Sequence, residues 1–459
     1  MKTLIFRYWD RTRSSLWFIP TLMAIVAVLL AFFSVALDRT VTNWLWHAWD
    51  WTFTGGAEGA SAVLGVIAGS MITIAGVVFS MTLVALSLVT SQLGPRLLRN
   101  FLRDTTTQVV LGTFVATFLY CLLVLLTIRR EEEVAFVPNV SVALGVFLAV
   151  ASVGVLIYFI HHVSVSMQAN EIVARVSKEL IAATGRLFPE HIGQGAPEAS
   201  RAPPDAEFLD AFERQSRSIP ANADGYLQFI DTEALLALAV QQDVVIRLER
   251  IPGHYVVAGC PLMRVWPGER VADIPVARAN AAFALGNQRA SGQDIEFAVT
   301  QLVEIALRAL STGVNDPFTA ITCIDHLASA LSRLAIRQKP SPYRHDSQGR
   351  LRVIALSATF PEVTGVAFNQ IRQQARCNAA VTIRLLETIA VVARFTHRAE
   401  DRAALLRHAE MIVRGAREGL RETEDLRVAE ERYRTAMQLC SGSRDVSPGP
   451  SRHPEPRHL

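Results

Sequence analysis

The stretch Ser61–Ser91 reads SAVLGVIAGSMITIAGVVFSMTLVALSLVTS, thirty-one consecutive residues without a charge. A membrane span needs about 20 apolar residues. At about 1.5 Å per residue this segment makes a helix about 46 Å long. It therefore exceeds the ~30 Å hydrocarbon core and must tilt, kink or project from the bilayer. Ser61, Gly65, Gly69, Thr73, Gly76, Ser80, Ser87 and Ser91 recur mostly at steps of three and four, which places them in one stripe along the helix.

Three further apolar runs surround it, so the expected spans are about 16–37, 60–91, 108–128 and 139–161, all within residues 1–164. The first follows Lys2, Arg7, Arg11 and Arg13, as a signal peptide would. Its apolar run is longer than a signal core, however, and three more spans follow, so it reads as a retained anchor. Lys and Arg in the flanks decide orientation. The amino end, the segment Arg96–Arg103 and the segment Arg175–Arg186 hold ten, against Arg39, Arg129 and Arg130 on the other side. Both termini are then expected in the cytoplasm of a bacterial inner-membrane protein, with Trp44, Trp46, Trp49 and Trp51 in an outer loop. No charge is expected inside a span, which argues against an ion-coupled carrier.

The rest of the 459 residues carries most of the charge. A net charge of +3 without a basic patch gives no case for nucleic acid. Five scattered cysteines with no CxxC pair fit a reduced compartment and no metal or disulfide framework. Residues 165–219 read as a helical extension followed by a linker from Gly193 to Arg217. Residues 220–275 read as a small α/β or barrel-like module, with a strand at Gly225–Asp231 and a hairpin of Val244–Glu249 with His254–Ala258 around Pro252-Gly253. From Val276 to about Cys440 the pattern is helical, with a loop at Gln338–Arg350 and long helices at Glu362–Phe395 and Asp401–Gln438. Residues 441–459 are polar and proline-rich, the composition of a disordered tail. The expected fold is mainly α: four transmembrane helices plus a cytoplasmic α+β domain dominated by helices.

The candidate chemistry is sparse. The stripe either packs helices closely, as Gly65-xxx-Gly69 does elsewhere, or lines a path wetted by its hydroxyls. Arg96, Arg99 and Arg103 would give that path a basic inner mouth. Glu131-Glu132-Glu133 reads as a solvated loop, and His161-His162 as an interfacial anchor. In the soluble part, Thr312-Gly313 is expected to stop the helix Asp294–Leu310 through a left-handed glycine. Asn315-Asp316-Pro317 then starts the next helix by capping. With Asp325 and His326 this turn is the candidate ligand or coupling site. No GxxxxGK[ST], GxGxxG after a strand, HExxH or GxSxG is present, so no catalytic residue, cofactor or metal is expected.

Two of these stretches, Phe79–Asp104 (FSMTLVALSLVTSQLGPRLLRNFLRD) and Ala306–Ala320 (ALRALSTGVNDPFTA), resemble a bacterial family of predicted integral membrane proteins known as domain of unknown function 2254. The resemblance extends over nearly the whole chain apart from the linker near residue 200 and the tail. Family members more often read Ser-Pro-Gly where this chain has Ser311-Thr312-Gly313, which removes the rigidity of proline. The resemblance implies the architecture and brings no activity, cofactor or site residue. The functional expectation is a homo-oligomeric passive channel for a small ion in the lipid bilayer, gated by its cytoplasmic domain. The alternative is a membrane-anchored sensor or scaffold whose cytoplasmic domain binds a small molecule or protein.

Overall fold

The computed structural model describes residues 17–41, 56–93, 104–128, 136–166, 168–188 and 204–442. The chain divides into two compact units, Met1–Ile172 and Val173–Leu459. In the first, four helices are long and apolar enough to cross a membrane. They are α1 (Phe18–Val41), α2 (Gly56–Leu93), α3 (Thr105–Leu125) and α4 (Asn139–Ser166). Their outer surfaces expose Leu22, Leu29, Phe32, Phe33, Val66, Val84, Phe147, Val150 and Ile157, as contact with lipid requires.

The helix α3 occupies the middle, packing against the other three. The long α2, whose 38 residues run unbroken through Gly76, is therefore peripheral. Two glycines allow close approach, of α3 to α1 and of α4 to α2. A Cβ on Gly112 of α3 would meet the backbone of Pro20 at 3.2 Å, and one on Gly145 of α4 would meet the Leu64 side chain at 2.9 Å. Ala27, Ala31, Ala60, Leu64, Ala68, Tyr120, Cys121 and Val142 form one buried cluster, and Met71, Ala75, Val78, Phe114 and Phe159 another. Span boundaries shift by a few residues from expectation, and one shift matters. The α1 span extends to Thr40, so Asp38 and Arg39 lie within it, correcting the reading that no span contains a charge.

The second unit combines two small sheets with a helical bundle; the division between units falls within α5 (Ala169–Leu187). Within the segment read as a linker lies α6 (Ala206–Gln215), and β1 (Arg217–Pro220) starts at its last residue. Strands β2 (Gly225–Ile230), β3 (Val245–Leu248), β4 (Tyr255–Val256) and β5 (Pro261–Trp266) follow, with α7 (Thr232–Gln241) between β2 and β3. Next come α8 (Val276–Asn280), β6 (Phe283–Gly286), α9 (Ile295–Ala309), α10 (Pro317–Ile336), β7 (Tyr343–His345) and β8 (Leu351–Ile354). The five-stranded sheet has the order β1-β5-β3-β8-β7 and the three-stranded sheet β4-β2-β6. Thus β3 and β4 are not a hairpin. The Gly253 N–H donates to Leu227 O and sends β4 to β2, while β3 pairs with β5 and, in parallel, with β8. Gly253 is required there: its φ is +98°, and a Cβ would run into the Asp294 carboxylate.

The strands β6 and β8 fall inside the region read as helical, and β7 inside the expected loop. The buried Arg352 donates to Asp346 and to Asp243, each at 2.9 Å, tying the β7–β8 hairpin to the entry of β3. The two long expected helices are four: α11 (Phe360–Ala375), α12 (Ala379–Ala393), α13 (Ala399–Gly419) and α14 (Thr423–Cys440). Asn378 causes the first break, since its side chain accepts from Val381 N and caps α12. Thr359 and Glu362 form a capping box on α11.

Candidate functional site

The stripe on α2 faces away from its own bundle. Ala60, Leu64, Ala68, Met71, Ala75 and Val78 form the buried face, whereas Gly65, Gly69, Thr73, Gly76, Ser80 and Ser87 are exposed. A Cβ added at Gly65, Gly69 or Gly76 would touch nothing within 4 Å. Only Ser61 is buried, and its hydroxyl returns to Ala57 O at 2.7 Å. Thr73 likewise donates to Gly69 O at 2.8 Å. The stripe therefore neither packs against α1, α3 or α4 nor opens into the bundle, whose interior Tyr120, Phe114 and Phe159 fill. Arg96, Arg99 and Arg103, Trp44–Trp51 and Glu131–Glu133 lie outside the described residues.

Polar groups inside the bundle serve its architecture. The helix α4 begins with Val142 N bonded to Pro138 O, so Pro138 is its N-cap and has no side-chain acceptor to offer. Asp38 from α1 supplies one. Its Oδ1 accepts from Val140 N at 2.9 Å, and its Oδ2 accepts from Ser141 N at 3.0 Å and Ser141 Oγ at 2.6 Å. A buried carboxylate at the positive end of a helix is stabilised by both the donors and the dipole. Nearby, Tyr120 Oη donates to Ser141 O at 3.0 Å and shares a hydrogen bond with Ser34. At the other end of the bundle Asp104 caps α3 and meets His162 Nε2 at 3.0 Å. Burial raises the Asp104 pKa, yet bonds from Thr107 and His162 outweigh it and hold the carboxyl below its usual value. His162 is thus a partner of Asp104 rather than only an interfacial anchor.

In the second unit, Asp316 caps α10: Oδ1 accepts from Thr319 N at 3.1 Å and Oδ2 from Thr319 Oγ1 at 2.5 Å. The left-handed residue of this turn is Asn315, with φ +49°, and not Gly313. Asn tolerates that conformation, so the helix end needs no left-handed glycine. Pro317 takes the first helical position, and Phe318 beside it is 80% exposed. Asp325 is drawn elsewhere, into an ion pair with Arg384 at 2.5 Å, and Arg384 continues to Glu387 at 3.1 Å. His326 sits half-buried next to it on α10, and among the described residues no hydrogen bond or ion pair joins either residue to the Asn315 turn. The turn and the Asp325-His326 pair therefore do not form one site.

A feature invisible in the sequence lies between α11 and α13. Arg372, Gln373 and Arg376 face Met411, Arg414, Gly415 and Glu418 across a groove of about 300 Å³. Its only linear trace is the Arg372/Arg376 spacing of four, which many solvated helix faces share. Near it His408 is 5% exposed, packs on the Phe368 ring at 5.5 Å between centroids, and has no partner for Nδ1. Burial, then the charges of Arg372 and Arg407, lower its pKa to about 4. His408 is therefore neutral in the fold but takes a proton near pH 6.5 once unfolded. Stability is expected to be full above pH 6.5 and to fall by roughly 1 kcal/mol per unit as pH drops toward 4. Denaturant unfolding of the full chain across that range checks it, and His408→Gln should flatten the slope.

Residues 13–391 match the family described as predicted membrane protein (DUF2254). The uncharacterized proteins Mb1321c of Mycobacterium bovis and Rv1290c of Mycobacterium tuberculosis are each 32% identical over 405 residues, covering 87% of this chain and 76% of theirs. No solved structure matches. With its four apolar helices and a match across most of its length, the chain belongs to the DUF2254 family of predicted membrane proteins.

Proposed function

We propose that the chain is one subunit of a homo-oligomeric assembly in the bacterial inner membrane, with both termini cytoplasmic. In this reading the α2 stripes of neighbouring subunits meet and line a passive path for small ions, and the second unit gates it from the cytoplasm. The supporting observation is the outward stripe itself. Gly65, Gly69, Thr73, Gly76 and Ser80 leave a shallow, hydroxyl-bearing face on a helix that would otherwise present bulky apolar side chains to lipid. Small residues permit close approach of helices in a bilayer, and hydroxyls wet a pore without closing it electrostatically. A filled bundle interior leaves the surface between subunits as the place for a path. No chemical reaction is part of this proposal.

The purified full chain in liposomes is expected to pass small ions, and Gly76→Leu should abolish that flux by filling the stripe. Thr73→Cys should form an intersubunit disulfide in the membrane. Absence of flux together with absence of the cross-link overturns the proposal.

A further inference from the structure

The groove between α11 and α13 has the composition of an anion site. Arg372, Arg376 and Arg414 converge on it, and among the described residues no carboxylate ion-pairs with any of them. Some arginines of the same bundle are matched, Arg384 to Asp325, Arg417 to Glu430 and Arg432 to Glu387. Others such as Arg407 and Arg434 are not matched among the described residues, so it is the convergence of three on one groove that sets this place apart. The Arg372 Nη2 reaches Asn369 Oδ1 only at 3.4 Å, and its Nε is buried without a partner. A buried guanidinium donor left empty is unfavourable, and a bound acceptor would satisfy it. Opposing these charges are Glu418 on the rim and the carboxyl ends of α11 and α13, about half a negative charge each. Three guanidinium groups against one carboxylate and two helix ends leave the groove positive. Its volume suits a ligand of a few dozen atoms or fewer.

We propose that this groove binds a phosphate-bearing anion, with the guanidinium forks of Arg372, Arg376 and Arg414 taking its oxygens. Arginine is suited to this because its planar donors match phosphate geometry in pairs. The phosphate could belong to a soluble ester or to a lipid headgroup, which share that chemistry. This inference stands apart from the pore: a chain that conducts ions but binds no phosphate overturns it alone, and the reverse holds too.

The test is calorimetric titration of the full chain, in neutral detergent, with pyrophosphate. Saturable binding is expected, weakened about tenfold or more by Arg376→Gln or Arg414→Gln. Both side chains are exposed, so unchanged melting of the unliganded variants separates loss of ligand from loss of fold. Binding of pyrophosphate that these variants lose assigns a soluble source. If pyrophosphate does not bind, the chain is placed in neutral-lipid nanodiscs with and without phosphatidylglycerol. A rise in melting midpoint with phosphatidylglycerol that Arg414→Gln removes assigns a headgroup. Failure of both, or binding unchanged in the Arg376→Gln, Arg414→Gln double variant, overturns the proposal.

Discussion

Replacing Asp38 with alanine is expected to destabilise the membrane unit by about 2–4 kcal/mol. The loss has two parts. The donors Val140 N–H, Ser141 N–H and Ser141 Oγ–H lose their acceptor. The α4 dipole loses a compensating anion, and Pro138 at the N-cap has no side chain to take over. Water would normally rescue such donors, but a site with Asp38 at 6% exposure and Ser141 at 0% offers little access. Asp38→Asn keeps one oxygen acceptor and should lose about half as much, because its amide NH2 turns a donor toward a donor. Unfolding of the full chain in mixed detergent with rising sodium dodecyl sulfate reads the effect as a lowered midpoint. An alanine variant as stable as the parent would show that α4 is held in place without its cap. Arg39, one residue on, stacks over the Phe136 ring at 5.7 Å and is expected to matter far less.

That carboxylate also marks the boundary of what a single sequence discloses. The four spans are legible because apolar runs of that length have few alternatives. The Asp316 cap is legible because its acceptor, its proline and its helix are adjacent in the chain. Asp38 acts on residues more than 100 positions away, and nothing near it in sequence predicts the pairing. The same distance hides β8, which looks like one more apolar segment among helices until it lies beside β3. The arginine groove is hidden likewise, since Arg414 stands on a different helix from Arg372. The stripe on α2 is a different case. Its residues were visible, but their direction was not. In water the buried face of a helix is the apolar one, whereas in a bilayer lipid is as apolar as a core, so both faces of α2 read alike. The alternation Ala60, Leu64, Ala68, Met71, Ala75 and Val78 marks the inner face only once Tyr120 and Phe114 are seen against it.

Two glycines that look equivalent in the sequence are therefore expected to behave in opposite ways. Gly145→Val places a branched side chain where a single Cβ already meets Leu64 Cδ2 at 2.9 Å, Cys121 Sγ at 3.5 Å and Tyr120 Cε1 at 3.7 Å. Leu64 and Cys121 are fully buried and Tyr120 is held by its hydroxyl, so little can move aside. Overpacking of this kind costs about 1–3 kcal/mol, and valine in a helix has one preferred rotamer with which to avoid it. Gly69→Val meets open space, replaces a poor helix former, and should leave unfolding of a single subunit unchanged or slightly delayed. The same detergent titration compares them, with Gly145→Ala as the graded intermediate. If Gly69→Val instead destabilises the folded chain as strongly as Gly145→Val, the α2 stripe is packed against something in the detergent-solubilised protein. Size measurement of that sample then tells whether the neighbour is a second subunit. A stable Gly69→Val chain that no longer self-associates would separate the two roles glycine has here: letting α4 reach α2 within a subunit, and leaving the outer face of α2 shallow.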